Sequence, residues 1–375
     1  MTRETARCWV IAGGGTGGHV TPALALAERI AARGDRVVIL GGRRGLETRL
    51  VPRAGFELLA LPAQPVMGRG AAGRLRALPS IAAACATAWS ALGRLRAGLV
   101  VSVGGYASVP AVAAAVARRV PIALLEPNAV PGRANRAAAR FARVCFAGFD
   151  ATARALAPAA RGRRVVVSGI PLRRSLVAAF AGAGARRIPT PPFRLLVFGG
   201  SQGARQINEA MLEVARGLDP GEIEIFHQTG AADRERVADA YARAGIRAEV
   251  VDFEPDMPAR YRWADLALCR SGALTVAELA MAGLPALLVP FPHAADDHQL
   301  ANARALEEAG AARVLGARPL APAELAGALA RAFEKPAELA AMAGAAARLA
   351  LPDAAERIVE ECAALARARQ RGMPA

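Results

Sequence analysis

The chain is almost without lysine: of its 48 basic residues, every one but Lys335 is arginine. Against 32 acidic residues this leaves a formal net charge of +16. A basic chain favours anionic partners, such as phosphates or acidic lipid headgroups. So one-sided a choice of arginine, with alanine abundant too, also reads as genome-wide composition. Aromatic residues are scarce at 5%, and the arginines are scattered with no stacking motif between them. That argues against nucleic acid as a partner. The 5 cysteines (Cys8, Cys85, Cys145, Cys269, Cys362) are odd in number and widely spaced, with no C-x-x-C pair. A disulfide framework and a structural zinc site are therefore not indicated, and each thiol reads as a small apolar group in a reducing compartment. A long hydrophobic run is missing as well. The stretch 77–92 is broken by Pro79 and polar residues, short of the roughly 18–20 residues a spanning helix needs. No secretory core is visible near the N-terminus. The expectation is a soluble or peripheral protein in the cytoplasm.

What is present fits a folded chain of 375 residues, 54% of them hydrophobic. That length suggests two domains, each with its own core. Short β-branched runs alternate with Ala/Leu/Arg-rich helical stretches. Strands are expected at 8–12, 36–40, 99–103, 121–125, 144–147 and 164–167. The rhythm lapses around 168–192, where Gly182, Gly184, Pro189, Pro191 and Pro192 give a linker composition. It restarts with strands at 193–198, 222–227, 247–251, 265–268 and 286–290. From Ala321 onward the sequence has room for two or three helices. Alternation of this kind implies α/β domains built on doubly wound parallel sheets. Both halves open with a glycine turn directly after a strand, GGGTGGH (13–19) and GGSQGA (199–204). Each turn would lie at the carboxyl end of its strand, the usual ligand position in such sheets, and two such domains facing each other would leave a cleft.

The spacing Gly13-x-Gly15-x-x-Gly18 suits a phosphate, because glycine lets the backbone approach an anion and the following helix start offers unpaired N–H groups. A ligand-free turn packed on a helix would use the same glycines. A dinucleotide would want an acid near the end of the second strand, where the sequence has Gly41-Gly42-Arg43-Arg44. NAD is thus disfavoured and NADP survives as a lesser alternative. His19 at the helix start is a candidate general base or, equally, a packing histidine. Ser201 and Gln202 in the second turn offer polar groups to a diphosphate or sugar. In 269–278, CRSGALTVAE, a strand leads through Ser271-Gly272 into a helix carrying Glu278, which could accept from vicinal ribose hydroxyls while backbone N–H groups meet phosphate. Farther on, His293, Asp296, Asp297 and His298 conceivably bind a metal, but the carboxylates also suit capping and Gln299 suits sugar hydroxyls. His227 ends a strand and reads as structural. The basic, amphipathic stretch 66–98 (Arg69, Arg74, Arg76, Arg94 and Arg96 with Leu75, Leu78, Ile81 and Trp89) fits either an anionic bilayer surface or an ordinary half-buried helix.

In this order GGGTGGH, GGSQGA, RSGALTVAE and ADDHQ-x-x-NA resemble the MurG family, which makes lipid II for peptidoglycan. Val103-Gly104-Gly105-Tyr106, Glu126-x-Asn128 and Gly169-x-Pro171-x-Arg173 match too, so the likeness runs through essentially the whole chain. It implies a GT-B fold of two Rossmann-like domains: an N-terminal acceptor and membrane-side domain at 1–168, a linker at 169–192 and a UDP-sugar domain at 193–351. A C-terminal helix at about 352–370 would return to the first domain. It implies UDP-GlcNAc as donor, undecaprenyl-linked lipid I as acceptor, inversion at the anomeric carbon, and no cofactor or metal. His19 and Glu126 match the catalytic positions. Thr16, Gly17, Gly18, Asn128, Arg173, Ser201, Glu254, Ala273, Leu274, Thr275, Val276, Ala277, Glu278 and Gln299 match donor contacts, Glu254 through its backbone. The anionic cytoplasmic membrane surface and cell-wall synthesis or division proteins are the partners the likeness implies.

Two departures stand out. Many members carry His-Glu-Gln-Asn where this chain has Leu125-Glu126-Pro127-Asn128, and Gly-Asn-Pro where it has Gly169-Ile170-Pro171. The competing readings are the same donor chemistry on another lipid or glycoside, a UDP-GlcNAc 2-epimerase, and a nucleotide-sugar sensor without activity.

Overall fold

The structure, a computed structural model, describes residues 8–63, 71–200, 202–292, 294–316 and 320–370. The chain divides into two compact units, Met1–Arg174 with Leu351–Ala375, and Ser175–Ala350.

In the first unit the elements run β1 (Cys8–Gly13), α1 (Gly17–Ala32), β2 (Arg36–Gly42), α2 (Glu47–Arg53), β3 (Glu57–Leu61), α3 (Ala71–Arg94), β4 (Leu99–Gly104), α4 (Ser108–Ala117), β5 (Ile122–Glu126), α5 (Arg133–Ala139), β6 (Val144–Ala147), α6 (Asp150–Ala160) and β7 (Arg164–Val167). The seven strands form one parallel sheet in the order β3-β2-β1-β4-β5-β6-β7. Side chains alternate across it. Trp9 and Ile11 enter the core on the α1 face, while Val10 and Ala12 enter the core under α3 and α4. A strand covered on both faces is apolar throughout, and for this reason β1 and β4 read as unbroken hydrophobic runs. Helix α1 buries Val20, Ala23, Leu24, Ala27 and Ile30, the three- and four-residue spacing of a helix with one apolar face.

The second unit continues with α7 (Arg174–Phe180), β8 (Phe193–Phe198), α8 (Arg205–Val214), β9 (Ile223–Gln228), α9 (Arg234–Arg243), β10 (Arg247–Val251), α10 (Met257–Trp263), β11 (Leu266–Cys269), α11 (Ala273–Ala282), β12 (Ala286–Leu288), α12 (His298–Glu308), β13 (Ala312–Val314), α13 (Pro322–Glu334) and α14 (Pro336–Arg348). Its six strands are also parallel, ordered β10-β9-β8-β11-β12-β13. The last helix, α15 (Ala354–Gln370), packs on α1, with Ile358, Val359 and Cys362 in the first unit's core.

The expected doubly wound α/β architecture is what the chain adopts. Elements the sequence pattern passed over are the edge strands β3 and β13 and helix α7. Strand β3 is half-exposed and leucine-rich, β13 has three residues, and α7 has seven residues inside a stretch otherwise rich in linker residues. Strands this short or half-exposed, and a helix of two turns, carry too few buried positions to print a period. Among the described residues, no helix is long and apolar enough to cross a membrane.

Each sheet reverses its winding once, between β1 and β4 and between β8 and β11. Ligands of open α/β sheets bind outside the carboxyl ends of the strands at such a reversal. The two glycine turns follow β1 and β8.

Candidate functional site

In the first unit, α1 begins at Gly17 with Thr16 as its extended, exposed cap residue, and the Thr16 carbonyl accepts from the amides of His19 and Val20. Across the winding reversal, His19 Nδ1 lies 3.1 Å from the carbonyl oxygen of Val103 on β4. A carbonyl can only accept, so in the neutral ring Nδ1 carries the proton and the lone pair resides on Nε2. Gly104 lets the ring in: a β-carbon there would stand 3.1 Å from His19 Cε1 and 2.9 Å from Asn135 Nδ2, and its φ of +102° also favours glycine.

Glu126 closes β5 and is buried. Its Oε1 accepts from the Asn128 amide and Nδ2, and its Oε2 from the Gly132 amide at 2.9 Å and Asn135 Nδ2 at 2.9 Å. Four donors fill the acceptor positions of a carboxylate. The group expected to assist His19 is therefore turned onto its own loop, where it holds Asn128 and Asn135. Asn135 Oδ1 is buried without a hydrogen-bond partner.

Sequence reasoning found no acid to serve the first glycine turn; the structure shows one. Glu47, fully buried at the start of α2, accepts from the Gly15 amide and the Gly42 amide, each at 2.9 Å. Gly14, Gly41, Gly42 and Gly45 crowd it so closely that a β-carbon at any of them would overlap its side chain or press against it. The Tyr106 hydroxyl donates to the Arg44 carbonyl at 2.7 Å and shuts the same loop. The Glu47 side chain thus fills the space beside the turn, and Gly14, Gly41, Gly42 and Gly45 leave it room.

Arg173 also lies in the first unit. Its Nε donates to Glu28 of α1 at 2.6 Å, so part of the guanidinium expected at a diphosphate is held by a carboxylate.

In the second unit a cavity of about 810 Å³ opens beside the second glycine turn, lined by Gly199, Gly203, Arg205, Gln206, Arg270 and Gln299 among others. Ser201 and His293 lie outside the described residues, as do residues 66–70 of the basic stretch and the side chains of Arg74, Leu75 and Arg76. Arg270 was quoted in its motif without a role. Its Nη1 donates to Gln206 Oε1 at 2.9 Å and to the carbonyls of Val289 and Pro290. Burial pulls it down to about 10, which leaves it a cation at neutral pH. Gln299 Oε1 accepts from the Phe291 amide at 2.9 Å, and its carbonyl accepts from Ser271 Oγ. Asp296 and Asp297 take left-handed φ values of +52° and +51° just before α12. Asp297 stands at the cap position but makes no side-chain cap bond, contrary to the capping role considered for it. Among the described residues, no group of three or more His, Cys, Asp or Glu could hold a metal.

Residues 273–278 form the first six positions of α11, with Gly272 as its cap residue. Glu278 is half-buried rather than exposed, and its Oε2 accepts from the Tyr261 hydroxyl at 2.7 Å. Burial pushes Glu278 up to about 7, with the Tyr261 hydrogen bond acting against the rise. Glu254 has its side chain tied down: Oε1 accepts from the Asp256 amide at 2.7 Å and Oε2 from Arg260 Nε at 2.7 Å. Any ligand contact at this position falls to the backbone. His227 is fully buried between Asn208 and the Tyr241 hydroxyl, a structural histidine.

Residues 9–146 match the glycosyltransferase family 28 N-terminal domain, and residues 194–358 match the glycosyltransferase family 28 C-terminal domain. A UDP-N-acetylglucosamine–N-acetylmuramyl-(pentapeptide) pyrophosphoryl-undecaprenol N-acetylglucosamine transferase of Anaeromyxobacter dehalogenans (strain 2CP-C) is 43% identical over 365 residues, 96% of this chain and 93% of that protein. The transferase of the same name from Myxococcus xanthus is 41% identical over 94% of this chain and 91% of its own length. Among solved structures, Acinetobacter baumannii MurG superposes with a TM-score of 0.77 at 30% identity, covering 95% of this chain and 99% of that one. A UDP-GlcNAc 2-epimerase from Neisseria meningitidis, solved bound to UDP-GlcNAc, reaches a TM-score of 0.67 at 13% identity, covering 95% of this chain and 99% of that one; this shows a shared fold alone. With both family 28 domains in sequence and such relatives along nearly its whole length, the chain belongs to the MurG family of GT-B glycosyltransferases.

Proposed function

We propose that the chain moves GlcNAc from UDP-GlcNAc to the 4-hydroxyl of MurNAc in lipid I, giving lipid II and UDP in peptidoglycan synthesis. The observation that carries this is the 43% identity, over 96% of the chain, to a relative named for that transfer. The donor lies in the second unit, with Glu278 on the ribose, the backbone at Glu254 on the uracil, and Ala273 to Ala277 at the start of α11 along the nucleotide. Gln299 takes the sugar hydroxyls. Ser201, Arg173 and Arg270 meet the diphosphate, Arg173 through the N–H groups that Glu28 leaves to it. Thr16, Gly17 and Gly18 meet the substrates in the first unit, with Asn128.

The reaction is a single displacement. The acceptor oxygen forms a bond to the anomeric carbon as the bond to UDP breaks, which inverts that centre. His19 Nε2 takes the hydroxyl proton, a task matched to a neutral imidazole near pH 7. Glu126 keeps Asn128 and Asn135 in place. Charge growing on UDP is met by arginine and helix-start N–H groups. The chain works at the cytoplasmic face of the membrane, where α3, with Leu78 and Trp89 exposed, rests on anionic lipid. Cell-wall synthesis or division proteins are the partners expected there.

The test is to incubate the purified chain with labelled UDP-GlcNAc and a lipid I analogue, without metal and then with magnesium. Disaccharide and UDP in both reactions are expected. UDP-GlcNAc converted to its free epimer with no disaccharide would favour the epimerase instead.

A further inference from the structure

Glu278 makes a single hydrogen bond among the described residues, the one from Tyr261. Tyr261 is fully buried near the end of α10, its ring tilted against Phe198. Its hydroxyl donates to Oε2, and Oε1 makes no hydrogen bond among the described residues. The main chain around the tyrosine is pinned too. The Arg186 guanidinium, in the segment joining α7 to β8, donates to the carbonyls of Tyr261, Ala264 and Ala282. The middle of α10 is fixed through Arg260, next to the tyrosine in sequence, which pairs with Glu254 and Glu249 and lies 3.8 Å from the centre of the Phe226 ring. One short helix thus carries the anchor of Glu254 and the phenol that touches Glu278.

We propose that Tyr261 is a positioning residue for donor binding: its hydroxyl holds one oxygen of the Glu278 carboxylate, so that the other is presented to the ribose hydroxyls of a uridine diphosphate. This rests on the reading of Glu278 as the ribose contact. A glutamate side chain has three rotatable bonds, and a carboxylate fixed before the ligand arrives loses less freedom when it binds. The same hydrogen bond favours the ionised form, the form that accepts from two hydroxyls. From β11 the carboxylate faces Cys269, whose thiol burial keeps protonated, and Tyr261 itself is held neutral by burial. The charged groups of α12 and α14, the other helices packed on α11, are not among the causes of its shift.

The test is UDP binding by calorimetry, from pH 5.5 to 9, with the full chain. The proteins are wild type, Tyr261→Phe, the chain with 3-fluorotyrosine at position 261 (a stronger donor) and Glu278→Ala. Wild-type affinity falls as pH drops through about 7. Tyr261→Phe moves that midpoint to higher pH and weakens binding at pH 7 by about 3- to 10-fold, the worth of one hydrogen bond. Fluorotyrosine moves it the opposite way and leaves the fold untouched even if phenylalanine does not. Glu278→Ala binds weakly at every pH. If neither change at 261 moves the midpoint while Glu278→Ala binds weakly, the positioning role is overturned and the ribose contact stands. If Glu278→Ala binds UDP like wild type, the ribose contact itself is wrong.

Discussion

His19 is held through Nδ1 by a carbonyl on a strand 84 residues away in sequence. Removing the ring removes the proposed base. His19→Ala is expected to lower turnover by about 100- to 10,000-fold, the usual worth of general base catalysis, with UDP affinity unchanged. Turnover within a few-fold of wild type would remove His19 from that role. At this scale legibility followed sequence distance. His19, Gly272 and Glu278 were readable because a glycine turn followed by a helix start is a local pattern. Glu47 was not, because it meets Gly15 from 32 residues away, and Tyr261 reaches Glu278 across 17. Neither residue type announces a partner on another element. Glu126 was readable as a site residue but not as the organiser of its loop.

Between elements, β9 is joined to α8 and α9 by two hydrogen bonds of His227, one with Asn208 and one with Tyr241. Burial lowers this histidine to about 3. The unfolded chain takes up its proton near pH 6.5, so the stability it lends is lost as pH falls from about 6.5 toward 3, with a limiting slope of about 1.4 kcal/mol per pH unit. Glu278 has the opposite sign. Its folded value of about 7 lies above the ordinary carboxylate range, so its contribution is present below that range and is lost as pH rises through 7. Between about 4.5 and 6.5 the two slopes oppose each other. Thermal melts of Glu278→Gln across that window should lose stability more steeply on acidification than wild type. Parallel curves for the two proteins would sink the argument. The central strands and their flanking helices were legible because both sheet faces are covered and the apolar runs are continuous. Of the four edge strands, β7 and β10 were legible as β-branched runs, whereas β3 and β13 were not, β3 being half-exposed and β13 only three residues long.

For the molecule as a whole, the chain begins and ends in the same unit. Helix α15 completes the core on the α1 face with Ile358, Val359 and Cys362, and pairs Arg29 with Glu356 and Arg164 with Glu361. Each fully buried aliphatic side chain there stabilises by about 1.5–3 kcal/mol, against a usual total of about 5–15. Ending the chain at residue 350 is expected to unfold the first unit and leave 175–350 folded and able to bind UDP. Limited proteolysis with mass spectrometry reads this directly: a resistant second unit beside a digested first one. Equal digestion of both would refute it. The two-domain rhythm was plain in the sequence. The helix that crosses back was expected only through the family resemblance, because nothing in its own period names the surface it covers.

The Glu47 cage bears on how the first unit meets its substrate. A glycine-rich turn is ordinarily a loose segment that a ligand must order, at about 1–2 kcal/mol per backbone residue fixed. Here a buried carboxylate already ties Gly15 to Gly42, and Tyr106 closes the side. The turn is therefore tied down before any ligand arrives, and a substrate bound there as proposed would meet a preformed rim. Under the proposed placement of the acceptor, recognition there is governed by shape more than by adaptation.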